Sequence, residues 1–148
     1  MTLHSILREK GFHVHSIGPG ALLDEVVQVL VRHNVGSLVV CEPASKGTDI
    51  HVIGIITERD VLRAQAAHRA PLEQITVATA MSTDLITAEI SDELEDAMRL
   101  MTKHRVRHLP VMDEGRLCGI ISIGDVMKAN HEELALANCF MSKALLDA

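Results

Sequence analysis

Two short segments carry the side chains best suited to chemistry: GIITERD at 54–60 and GIISIGD at 119–125. In each, a hydroxyl (Thr57 or Ser122) stands three residues before a carboxylate (Asp60 or Asp125). A carboxylate can accept two hydrogen bonds from a vicinal diol, and a hydroxyl beside the N–H groups of a helix N-terminus suits an anion. The same spacing resembles a capping box, in which the two side chains satisfy backbone N–H groups and need no ligand. Both readings follow from the spacing, and one residue pair can serve both roles.

No other constellation competes with these two. Of the nine histidines, His13 and His15 alternate and His104 lies four residues before His108, but no Cys or carboxylate completes a metal-ligand spacing. They are expected on the surface or lining a cleft, with no metal. Nucleophile elbow, Walker loop and Rossmann glycine pattern are absent, and Asp24, Glu25, Glu93 and Glu95 fall on polar helix faces, so no enzyme is expected. A net charge of −6, with Phe12 and Phe140 as the only aromatic residues, argues against nucleic acid as a partner. Cys41, Cys118 and Cys139 form no C-x-x-C pair, which fits small buried hydrophobes in a reducing compartment. With no apolar run long enough for a bilayer and no apolar leader, the expected location is cytoplasmic, with no membrane partner.

The elements that position the two motifs come from an internal repeat. Asp60 and Asp125 are 65 residues apart, whereas LLDEVVQVLVRHNVGSLVV (22–40) falls on ELEDAMRLMTKHRVRHLPV (93–111) at a spacing of 71. The difference is a longer connection in the first half, CEPASKGTDIH (41–51), whose Pro, Gly, Ser and Asp mark a surface loop. Each half reads as a strand (HVHSI or LITA), a helix, then two apolar strands (SLVVC and HVIGIIT, or HLPVM and LCGIIS). A closing helix follows, TERDVLRAQAAHRA in the first half and SIGDVMKANHEELALANCFMSKALL in the second. The fold class is therefore α/β, with β-α-β-β-α repeats at 12–70 and 71–130, each too small to stand alone. Segments 1–11 and 131–148 are expected as flanking helices that cover an edge or build a dimer contact. Met98, Met101, Met112, Met127 and Met141 are expected to fill the core.

The Gly-h-h-[Ser/Thr]-x-x-Asp motif in both halves, the phrases HNVGSLVV and HRVRHLPV, and VATAMSTDLIT carry a resemblance. Over nearly all of residues 12–130 the chain resembles the tandem CBS pair, or Bateman module. The resemblance implies repeats packed with pseudo-two-fold symmetry, a homodimer, and a non-catalytic regulatory role exerted on a separate protein. It implies two clefts for AMP, ADP, ATP or another adenosyl ligand such as NAD(H) or S-adenosylmethionine, with no obligatory cofactor. Asp60 and Asp125 would hold ribose, and Thr57 and Ser122 would touch phosphate. The Asp125 cleft would add Ile120, Arg107 and His108, and borrow His15, Val35, Gly36 and Ser37 from the first half. The Asp60 cleft would have Arg59, with Met81 and Ile86 toward the base. Gly124 stands where the first copy has Arg59, and Thr79 where many relatives have Asp, so the clefts should be unequal. One nucleotide per chain, at Asp125, is the expectation; the alternative is an interaction module with unoccupied clefts.

Overall fold

Leu23, Val26 and Leu30 recur at helical spacing and form the buried stripe of α2 (Leu23–His33). Acidic Asp24 and Glu25 open that helix and Arg32 and His33 close it, in the sense that complements its dipole. Asn34 ends it in the left-handed region at φ 51°. Leu94, Ala97 and Met101 play the same part in α5 (Leu94–His104), which Arg105 ends at φ 54°. The computed structural model describes residues 1–43 and 50–147 and divides into two compact units, one of Val14–Leu85 and one of Met1–His13 with Ile86–Ala148.

Each unit holds a three-stranded sheet. In the first, β1 (Ser16–Ile17) runs parallel to β2 (Ser37–Pro43), which pairs antiparallel with β3 (Ile50–Thr57). In the second, β4 (Ala88–Glu89), β5 (His108–Asp113) and β6 (Arg116–Ser122) repeat that order and those senses. Val40 faces Gly54 as Val111 faces Gly119, and both ladders slip at the next residue, Cys41 or Met112. The connection expected over 41–51 is shorter than the sequence suggests, because β2 and β3 stay paired out to Pro43 and Ile50. Its residues 44–49 lie outside the described residues. The strands expected over HVHSI and LITA narrow to two paired residues each, since each meets a neighbour along one edge only.

A closing helix follows each hairpin: α3 (Glu58–His68) after β3 and α6 (Ile123–Leu146) after β6. One further pair of segments repeats, at a third spacing. α1 (Leu3–Lys10) follows Thr2, and the short α4 (Val77–Ala80) follows Thr76. Thr2 bonds the Ser5 hydroxyl as Thr76 bonds that of Thr79. Thr2 bridges Glu93 at the start of α5 as Thr76 bridges Leu22 at the start of α2. Leu7, fully buried, lies where a Cβ on Gly119 would come within 2.8 Å, and Met81 and the Ser82 carbonyl lie 2.9 Å from one on Gly54. The glycine of each Gly-Ile-Ile strand thus admits a segment from outside the β-α-β-β-α run. Residues 1–10 complete the unit of the second repeat, and residues 72–82 that of the first.

Three side-chain expectations change. Met101 is buried and Met98 partly so, but Met127 and Met141 are 65% and 64% exposed. They lie on α6, whose buried residues are Val126 and Ala129, while Leu134, Leu136, Phe140 and Leu145 stand exposed beyond them. Cys139 is exposed on the same stretch, whereas Cys41 and Cys118 are half-buried and burial pushes both thiols up. Among the described residues no His, Cys, Asp and Glu cluster could hold a metal ion, and no helix is long and apolar enough to cross a membrane.

Candidate functional site

Thr57 and Ser122 keep extended backbone (φ −118° and −102°) at the ends of β3 and β6, so their side chains fold over the first turns of α3 and α6. Both form complete capping boxes. The Asp60 N–H donates to the Thr57 hydroxyl at 3.3 Å, while Asp60 Oδ2 accepts from the Thr57 N–H at 3.0 Å and from its hydroxyl at 3.1 Å. In the other unit the Asp125 N–H donates to Ser122 at 3.3 Å, and Asp125 Oδ2 accepts from the Ser122 N–H at 2.8 Å and its hydroxyl at 3.0 Å. Each hydroxyl's one proton is therefore directed at a carboxylate, so contact with a phosphate as donor would require it to turn.

The helix-to-strand phrases sit beside these turns. Gly36 accepts the Glu58 N–H at 3.1 Å, and Ser37, buried, pairs with Thr57 across the sheet. Arg107 accepts the Ile123 N–H at 2.8 Å, and His108 pairs with Ser122. The first N–H of each closing helix is thus occupied by a backbone carbonyl rather than open to an anion. Arg107, His108, Ile120, Ser122 and Asp125 all belong to one unit. His15, Val35, Gly36 and Ser37, which the resemblance has the Asp125 cleft borrow from the first half, lie in the unit of Asp60, where Val35 to Ser37 lead into the Thr57 turn. His15 stacks on His33 with ring centroids 3.9 Å apart. Arg59 is exposed on the first turn of α3, Met81 packs over Gly54, and Ile86 packs on the core of the Asp125 unit.

Two side chains that sequence reasoning did not single out complete the carboxylates. Ser82 donates its hydroxyl to Asp60 Oδ1 at 3.2 Å, and Asp60 is buried. Lys10, the last residue of α1, donates to Asp125 Oδ2 at 2.6 Å and to the Ile120 carbonyl at 2.7 Å. Among the described residues nothing bonds Asp125 Oδ1, and this carboxylate is only half-buried. Its pKa falls below the ordinary carboxylate value. Burial is the largest single influence and acts against the fall, but the Lys10 hydrogen bond, the Ser122 N–H, the Lys10 charge and the Ser122 hydroxyl together outweigh it. The signal for both residues was the spacing shared by Thr2 and Thr76 and by Leu7 and Met81, which places Lys10 and Ser82 just past equivalent contacts.

An apolar groove of about 540 Å³ lies elsewhere in the Asp60 unit, between α2 and α3. Leu30, Val31, Val61 and Leu62 line it, with Glu58 and Gln65 as polar members, and Val31 and Leu62 are strongly exposed. Among its lining residues no basic side chain is present to meet a phosphate.

The sequence profile described as CBS domain matches twice, at residues 6–67 and 75–132. The CBS domain-containing protein CBSX3, mitochondrial, of Arabidopsis thaliana is 37% identical over 79% of this chain, which spans 58% of that protein's length. The CBS domain-containing protein YhcV of Bacillus subtilis is 34% identical over 76% of this chain and 76% of its own. A crystal structure of a CBS-domain containing protein from Agrobacterium tumefaciens, 37% identical, covers 88% of this chain and 99% of its own with a TM-score of 0.80.

Proposed function

The chain belongs to the CBS-domain family, and from that premise we propose that it is a non-catalytic regulatory module that binds an adenine nucleotide, AMP or ATP, at Asp125 and acts on a separate protein partner. The observation that carries the reading is the unequal state of the two motif carboxylates. Asp60 is buried and has both oxygens engaged, whereas Asp125 keeps Oδ1 unbonded among the described residues. Capping uses only Oδ2, so the same side chain can hold its helix and accept a ribose hydroxyl. Arg107 lies beside the Ser122 turn and supplies positive charge suited to phosphate, and His108 pairs with Ser122 across the sheet.

Regulation requires the ligand to favour one state of the protein over another. The exposed apolar residues of α6 and the α2/α3 groove support assembly as a homodimer, which would cover them. Three free cysteines support a reducing compartment, and we place the protein in the cytoplasm. Titration calorimetry of the full chain with AMP, ADP, ATP, NADH and S-adenosylmethionine tests the reading. Binding of AMP or ATP that weakens at least tenfold in Asp125→Ala but not in Asp60→Ala is the expected result. Failure of all five ligands to bind would overturn it.

A further inference from the structure

The cap is common to both motif carboxylates, but the side chain that completes it differs in charge. Ser82 brings a neutral hydroxyl to the second oxygen of Asp60. Lys10 brings an ammonium to the oxygen of Asp125 that the cap already uses, so Oδ2 receives three donors: the Ser122 N–H, the Ser122 hydroxyl and Lys10 Nζ. Lys10 is not a loose surface cation. α1 places it, anchored by fully buried Leu3 and Leu7, with Leu7 seated over Gly119 on the same strand whose Ile120 carbonyl Lys10 also contacts.

A vicinal diol binds a carboxylate best through both oxygens. Oδ2 already receives three donors, so a second ribose hydroxyl reaches that oxygen only by replacing one of them, and Lys10 is the one whose departure leaves the cap intact. An ammonium drawn away from Asp125 is exposed enough to return to water, but it loses its ion pair unless another anion lies close by. A phosphate joined to the same ribose supplies one; a neutral nucleoside does not.

Resting on the nucleotide-binding reading of Asp125, we propose that Lys10 is the specificity-determining residue of that site: an internal counter-ion that opposes neutral ribosides and passes from Asp125 to the phosphate of a bound nucleotide. One ion pair is exchanged for two charge-assisted contacts, ribose to Asp125 and Lys10 to phosphate. Discrimination between nucleotide and nucleoside then resides in α1, outside the repeat motif. Occupancy of the site also loosens the tie between the end of α1 and the start of α6.

The test is titration calorimetry of the full chain with AMP and with adenosine, on wild type, Lys10→Met, Lys10→Gln and Lys10→Arg. Met and Gln keep an unbranched stem without the charge, so either one suffices if the other fails to fold. In wild type AMP should bind more tightly than adenosine. In Lys10→Met and Lys10→Gln that preference should shrink at least tenfold, with adenosine gaining affinity, and in Lys10→Arg it should persist. A preference unchanged within twofold in the uncharged variants overturns the role of Lys10 while leaving nucleotide binding intact. No AMP binding by wild type overturns the reading of the site and this proposal with it.

Discussion

The unit of Asp60 and the unit of Asp125 share strand order, register, the slip after Val40 or Val111, and the left-handed residue that ends α2 or α5. They differ in what lies on the glycine of β3 or β6. In one it is the segment between the repeats, bringing Met81 and Ser82; in the other it is α1, bringing Leu7 and Lys10. The repeat therefore builds two equal cradles, and the segments laid across them make the cradles chemically unequal. A neutral hydroxyl closes one carboxylate, and an ammonium tops the other.

Breaking the anchor of α1 should have the largest effect. Leu7 is fully buried, so Leu7→Ala is expected to cost about 2–5 kcal/mol in urea unfolding. Met81→Ala, at its half-exposed counterpart, should cost clearly less. Equal losses would mean that the two overlying segments are energetically alike.

The cradles themselves come next. Gly54→Ala and Gly119→Ala each force a methyl into occupied space, at about 1–3 kcal/mol. At Gly119 the obstacle is the end of the Leu7 side chain, whereas at Gly54 it includes the Ser82 backbone carbonyl, which cannot swing aside. Gly54→Ala should therefore lower the melting temperature more, and the reverse order would contradict the account of how these segments pack.

The smallest effect sharpens the electrostatic contrast. The folded-state pKa of Asp125 is depressed, so the stability it contributes is present above its unfolded value of about 3.9 and is lost as pH falls through the lower folded value. Lys10→Met removes a principal cause of that depression. Wild type should exceed the variant by less than about 1 kcal/mol at pH 7, since the pair is partly exposed. The gap should close at a pH below that depressed folded value, where the carboxyl is protonated in both. A gap that persists there would show that Lys10 acts through packing rather than charge.

Much of the architecture was legible because two constant spacings, 65 and 71 residues, carried whole phrases in register, and helical periodicity revealed α2 and α5 and placed α3 and α6 within a residue or two. Motif spacing likewise placed both carboxylates on the first turn of a helix. What periodicity does not reveal is which apolar stripes find a partner, and so Met127 and Met141 read as core while lying exposed. Lys10 was hidden for a different reason. It and Asp125 are 115 residues apart, and the spacing that links α1 to α4 rests on a few residues such as Thr2 with Thr76 and Leu7 with Met81.

The way α1 is shared out also bears on how the chain reaches its native state. The Asp60 unit is one uninterrupted run, Val14–Leu85, so its strands and covering segment can close on one another as soon as that run exists. The Asp125 unit is assembled from two stretches with that whole run between them, and Leu3, Ile6 and Leu7 have no buried resting place until β6 has formed. Closing a longer loop costs entropy before its contacts repay it. The unit that holds the Lys10–Asp125 ion pair is thus the one whose completion must come late, and the apolar face of α1 waits uncovered in the meantime.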